Sequence, residues 1–273
     1  MQIVTFTYKG QTRVGIKKDD HVAMVATRGN LLSIIRQGVT PEETSEHFAL
    51  DDVKLEAPLI PGKIIAVGRN YAKHAKELNN KIPEKPLLFV KVPSSVIGSD
   101  DMITWSETIT TQVDWEGELA VIIGKRARNI SEEDAYSHVY GYCVGNDVSA
   151  RDLQISDGQW VRAKGLDTFC PLGPAITLHK YVADPHDLTV ITTVNGDEMQ
   201  NGHTSDMIFK IPFLISYISK AITLEAGDVI LTGTPDGVGK GQNPPRFLQD
   251  GDTINVSIAG LGEISNRCKI VTD

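Results

Sequence analysis

Apolar and polar positions alternate in short runs along most of the chain, a period-two pattern that predicts a protein built chiefly from strands. Residues 3–8, 13–16 and 21–25 read as three short strands separated by the turn formers Lys9-Gly10 and Lys18-Asp19-Asp20, and residues 30–37 read as a helix. A leading hairpin of this size buries little surface alone and is expected to pack on the rest of the chain. The stretch Ala57-Pro58-Leu59-Ile60-Pro61-Gly62 breaks the periodicity and gives way to the apolar run Lys63-Ile64-Ile65-Ala66-Val67, typical of a buried strand. A boundary is therefore expected between a small N-terminal α/β domain, residues 1–57, and a main domain, residues 58–273. Strands are expected there at 87–90, 114–123, 139–148, 188–194, 228–232 and 253–258, with helices at 71–78, 131–135 and 208–220. This is an α+β pattern, mainly β, rather than a regular βαβ array.

Composition narrows the function classes. Apolar residues at 41% and charged residues at 23% leave little room for extended disorder. The longest apolar runs, such as Leu119 to Ile123, are far short of the roughly 20 residues that cross a bilayer, so no membrane span is expected. The first eight residues alternate and lack a basic start, unlike a signal peptide, and a cytoplasmic location is expected. Cys143, Cys170 and Cys268 form no CxxC pair and are expected to be buried free thiols. Net charge is −8 with scattered basic residues, which argues against nucleic acid as a partner. An anionic small substrate stays compatible, because a metal ion and a few basic side chains can reverse the sign inside one pocket.

Candidate chemistry concentrates in a few places. In Val113-Asp114-Trp115-Glu116-Gly117-Glu118-Leu119, carboxylates fall at 114, 116 and 118 within a strand-like run. Period two would put all three on one face, with neighbours on that face about 6.6 Å apart at the Cα. Their repulsion would be relieved by solvent or by a hard divalent cation, and a solvated strand face with Trp115 and Leu119 behind it is an equally good reading of spacing alone. Asp147, at the end of an apolar strand, could add a third ligand or serve as a turn residue, while Asp152 could cap a helix or pair with Arg151. Asn70 is a reasonable helix N-cap, and from it His74 and Glu77 would stand at i and i+3, as a water-activating pair or as a surface ion pair. Lys91 and Lys164 lie beside apolar runs and could face an anionic substrate or simply end a strand. The stretch Leu231 to Lys240 invites comparison with a phosphate-binding loop, but its spacing is one residue too long and Gly241 stands where a Ser or Thr is required.

Taken together, Gly68-Arg69-Asn70-Tyr71, Asp114 to Leu119, Asn146 to Asp152, Lys164-Gly165 and Gly233 to Gly239 resemble the fumarylacetoacetate hydrolase family in order and spacing over residues 58–273, in its acylpyruvase and 2-hydroxyhepta-2,4-diene-1,7-dioate isomerase-like branch. The resemblance implies a β-rich C-terminal domain enclosing a metal, a small N-terminal domain and a homodimer. It implies Glu116, Glu118 and Asp147 as ligands of Mg²⁺ or Mn²⁺, with Ca²⁺ a non-native occupant. It further implies His74, Glu77 and Lys164 as catalytic residues, and Arg69, Tyr71, Lys91, Arg151, Gln154 and Thr234 as contacts to a small 2-keto acid. The implied activity is metal-dependent hydrolysis of a C–C bond in an acylpyruvate or fumarylpyruvate, with oxaloacetate decarboxylation or tautomerisation of a related dioate as the alternative. Residues 154–164, polar and Gly-containing, are expected to form a mobile lid.

Overall fold

A computed structural model describes residues 1–27 and 29–272. The strand Gly117–Ile123 is buried at every residue, and the main sheet spreads to either side of it. It pairs antiparallel with Val139–Asn146 and with Val229–Leu231. Beyond Val229–Leu231 come Ile64–Gly68, in parallel, and the edge strand Leu87–Lys91. The other side holds Cys170–Leu178 and then the leading strands Gln2–Tyr8, Gln11–Lys17, His21–Val25 and Glu43–Ala49. The leading strands therefore continue the main sheet, joined to it through the pairs Gln2 with Thr177 and Ile3 with Ile176.

Alternation along the central strand places the core on both faces. Leu119, Val121 and Ile123 pack with Val190, Val194, Ile254 and Val256 of a second, five-stranded sheet, in the order Asp197–His203, Thr189–Val194, Thr253–Ile258, Gly262–Ile270, Met102–Trp105. The helix Ile211–Ala221 joins this side, with Pro212 in its first turn, where a missing N–H costs nothing. It buries Ile211, Leu214, Ile215 and Ile218, each worth about 1.5–3 kcal/mol. Ala120 and Ile122 face the opposite way, against Ile64, Ala66 and the helix Leu31–Gln37. That helix starts where the sequence places it: the Asn30 side chain accepts the Ser33 N–H at 2.9 Å, and Gly38 ends it at φ 66°.

The fold is mainly β, as expected, but several elements differ. The expected strand at 114–123 is interrupted: Val113–Asp114 pairs with Ser149–Ala150, and a new strand starts at Gly117. The helix expected at 131–135 is replaced by a short 3₁₀ turn, Ala135–His138. The helix Ala72–Glu77 is preceded by Tyr71 at the cap position, not Asn70. Asn70 is instead buried, donating its amide to the carbonyls of Phe209 and Thr232 and accepting from the Phe209 N–H, which ties the helix to the neighbouring loops. Unpredicted strands include Cys170–Leu178, whose Pro171, Gly173 and Pro174 argue against a central strand by propensity. The three cysteines are buried and free. Among the described residues no helix is long and apolar enough to cross a membrane.

Candidate active site

Strand register gathers the acidic residues. Gly117 pairs with Asn146 and Glu118 with Gly145, so Asp147, one residue past the pair, lies beside Glu116 and donates its N–H to the Glu116 carbonyl at 2.9 Å. The Asn146 side chain accepts the Glu116 N–H at 3.1 Å. Gly117 between the glutamates leaves room for the second sheet, because a Cβ there would lie 2.3 Å from Thr192 Oγ1. One carboxylate oxygen from each of Glu116, Glu118 and Asp147 falls within 4.8 Å of the others, and all three residues are buried. The solvated-face reading is thereby excluded. Asp114 is not part of this group: the strand breaks after it, and its carboxylate is taken by Arg151 and by the N–H groups of Gly239 and Lys240.

Three buried cations surround the carboxylates. Lys164 Nζ lies 2.7 Å from Glu116 Oε2 and 2.7 Å from Asp147 Oδ2. Lys91 Nζ lies 2.7 Å from Asp147 Oδ1 and also donates to the carbonyls of Val148 and Lys164. Arg151 reaches Glu116 Oε1 through Nη1 at 2.7 Å and Asp114 Oδ2 through Nε at 2.7 Å. These contacts act on Glu116 and Lys164. Burial opposes ionisation of Glu116, but Lys164 and Arg151 overcome it and hold its carboxyl well below the usual range. Burial also opposes the Lys164 ammonium, yet Asp147 and Glu116 raise its pKa. Glu118 is the exception. It accepts the Gly233 N–H at 2.8 Å but has no ion pair among the described residues, and burial together with Asp147 and Glu116 pushes its carboxyl upward. A buried, all-oxygen set with one carboxylate lacking a cation fits a hard divalent ion such as Mg²⁺ or Mn²⁺.

A glycine-rich turn after Val229–Leu231 ties the remaining parts together through its backbone. Besides Gly233 on Glu118, the Gly237 N–H donates to Glu77 Oε1 at 2.9 Å, and the N–H groups of Gly239 and Lys240 donate to the Asp114 carboxylate at 2.6 and 3.1 Å. Thr234 Oγ1 donates to the Gly117 carbonyl and accepts from Gln200, whose side-chain oxygen accepts the Gly117 N–H. His74 Nδ1 stands 3.3 Å from Glu77 Oε2.

A pocket of about 230 Å³ opens over the carboxylates. Arg69, His74, Glu116, Glu118, Arg151, Gln154, Lys164 and Thr234 line it. Of the other sequence-predicted residues, Glu77 and Asp147 stand behind this lining, in contact with His74 and Lys164. Tyr71 and Lys91 are also buried outside the lining. The Tyr71 hydroxyl has no hydrogen-bond partner among the described residues, and burial raises its pKa. Asp152 makes no pair with Arg151; it accepts from Thr110 Oγ1 and the Thr111 N–H. Residues 154–164 form the end of the helix Arg151–Ser156, a connection closed by the Arg162–Asp157 ion pair, and the helix Val161–Lys164. Trp160 in that connection lines the pocket and meets Phe89 edge-on at 5.2 Å. Sequence reasoning misses the roles of Asp114, Gln200 and Lys240. Periodicity makes Asp114 one more charge on a shared face, and Lys240 is visible only in a loop compared with, and rejected as, a nucleotide site.

Residues 63–269 match the family model described as fumarylacetoacetate (FAA) hydrolase C-terminal. Oxaloacetate tautomerase YisK of Bacillus subtilis is 50% identical over 224 residues, covering 81% of this chain and 74% of that protein. The mitochondrial oxaloacetate tautomerase FAHD2A of Homo sapiens is 46% identical over 219 residues, covering 79% and 69%. Among solved structures, fumarylacetoacetate hydrolase from Exiguobacterium antarcticum superposes with TM-score 0.92 at 43% identity, covering 99% of this chain and 100% of that one. The 2-hydroxyhepta-2,4-diene-1,7-dioate isomerase of Mycobacterium marinum gives 0.86 at 35% identity, covering 100% of both. With the carboxylates converging as the motif order implies and the family model matching through the sheet that holds them, the chain belongs to the fumarylacetoacetate hydrolase family.

Proposed function

We propose that this protein is a divalent-metal-dependent tautomerase interconverting the keto and enol forms of oxaloacetate or a closely related 2-oxo dioate. The resemblance alone puts C–C hydrolysis first, and the tautomerase relatives reverse that order. The observation that carries the reading is the placing of Lys164 and His74 in one small pocket with the carboxylate set. At about 230 Å³ the pocket is below the roughly 300–1,000 Å³ of drug-sized ligand sites, which suits a short acid.

Held by Glu116, Glu118 and Asp147, Mg²⁺ or Mn²⁺ would supply Lewis-acid polarisation of the substrate's 2-oxo group. Glu77, itself fixed by the Gly237 N–H, orients His74 through Nδ1 and leaves Nε2 for the pocket. In this reading His74 Nε2 takes the C3 proton as the C3–H bond breaks and returns it to the 2-oxo oxygen, with no net proton change. The Lys164 ammonium balances the negative charge that develops on that oxygen. Trp160 and Phe89 give the pocket an apolar wall beside which the reacting carbons would lie. A second reading rests on the same His74–Glu77 pair, which has the arrangement needed to activate water against an acylpyruvate.

The test starts from purified protein stripped with chelator and reloaded with Mg²⁺ or Mn²⁺. Decay of oxaloacetate enol absorbance should accelerate above a metal-only control without matching release of pyruvate. Pyruvate release at the same rate would make the enzyme a decarboxylase. No acceleration with oxaloacetate, beside rapid cleavage of acetylpyruvate, would make it a hydrolase.

A further inference from the structure

Not every cation lining the pocket is engaged. Lys164 is held by Glu116 and Asp147, and Arg151 commits Nε and Nη1 to Asp114, Glu116 and Gln154. Arg151 Nη2 is buried without a hydrogen-bond partner among the described residues. Lys240, half-buried on the same pocket, has no ion pair among them either. The two are set by one anchor: buried Asp114 binds Arg151 Nε and the N–H groups of Gly239 and Lys240. Close packing leaves no room for side chains at the two neighbouring glycines. A Cβ on Gly239 would lie 2.0 Å from the Arg246 carbonyl, and one on Gly241 would lie 2.3 Å from the Glu77 carboxyl carbon. Residue 240, between them, carries its side chain to the pocket.

We infer that Lys240 and Arg151 Nη2 form a subsite for a second carboxylate, so that Lys240 determines selection of 2-oxo dianions over 2-oxo monoanions. This rests on the tautomerase reading for the place of the 2-oxo end, at the carboxylate set. A carboxylate at the subsite would satisfy the orphan guanidinium N–H and separate two like charges. Burial and Arg151 lower the Lys240 pKa, consistent with an ammonium awaiting an anion. Arg69 is the other pocket cation without an ion pair among the described residues, but it lies outside the Asp114 anchor and serves as the comparison.

The experiment is calorimetric binding to the Mg²⁺-loaded protein. Its probes are 3,3-difluoro-oxaloacetate, which has no C3 hydrogen and cannot enolise, and pyruvate, which lacks the second carboxylate. Lys240→Met should weaken the dianion about 10-fold or more and move pyruvate less than about twofold, with Lys240→Arg restoring most of the loss. Equal loss for both probes, no loss for the dianion, or a selective loss with Arg69→Met in place of Lys240→Met would overturn the assignment. Because binding needs no turnover, failure of the tautomerase reading would appear separately, as selective dianion binding without accelerated enol decay.

Discussion

The floor of the pocket and its rim are built on different principles. Asp114 on the floor is fully buried and accepts from Arg151, Gly239, Lys240 and the Trp115 N–H. Glu116, Asp147, Lys164 and Arg151 are cross-linked so that removing any one strands the charge of another. On the rim, Ile155 is 66% exposed, and the Arg162–Asp157 pair of the same segment lies at the surface. Substitutions on the floor should therefore alter stability and chemistry together, whereas those on the rim should alter substrate capture almost alone.

The sharpest break of this contrast is Glu116→Ala. It removes a candidate ligand and leaves Lys164 and Arg151 partly uncompensated, so urea unfolding should show a loss of about 3–5 kcal/mol. Metal affinity should fall at least about 10²-fold, and an unfolding midpoint close to wild type would show that the floor is not over-determined. Asp114→Asn comes next, at about 2–3 kcal/mol from charge-assisted hydrogen bonds, with a rise in KM because Arg151 and the Lys240 turn lose their common anchor. Turnover with wild-type KM would separate Asp114 from substrate binding.

A smaller effect concerns pH. Glu118 has its folded-state pKa raised, so its contribution to metal-free stability is fully present below the unfolded value, about 4.3, and is lost as pH rises through the folded value. Metal binding requires the ionised form, so it should release protons and weaken as pH falls, starting above the ordinary carboxylate range. Calorimetry in two buffers of different ionisation enthalpy reads that release, and identical heats would contradict it. Smallest is Ile155→Ser on the rim, expected within about 0.5 kcal/mol of wild-type stability, with a KM change of a few-fold. A large stability loss there would erase the distinction between the two regions.

Much of this is legible in the chain. The first three strands, the helix that follows them and the spacing of Glu116 and Glu118 come from periodicity and turn chemistry, since each depends on neighbours within a few residues, whereas the strand Glu43–Ala49 is missed. Asp147 needs the resemblance, because its approach to Glu116 depends on register between strands 30 residues apart, from Glu116 to Asn146. Asp114 misleads, since period two holds only while a strand is unbroken, and the pairing with Ser149 that breaks it is a tertiary contact. Cys170–Leu178 is hidden by two prolines and a glycine, tolerated because sheet pairing outweighs local preference. Asn70 looks like a cap from its neighbours, but the carbonyls of Phe209 and Thr232 claim its amide.

Val229–Leu231 sits between Gly117–Ile123 and Ile64–Gly68, bonded to both. On the ribosome, two earlier strands must wait with facing edges open until this short late segment emerges to fill the gap. Unpaired edges of that kind are templates for association between chains, so the nascent protein passes through a vulnerable interval that ends when the last sheet neighbour arrives.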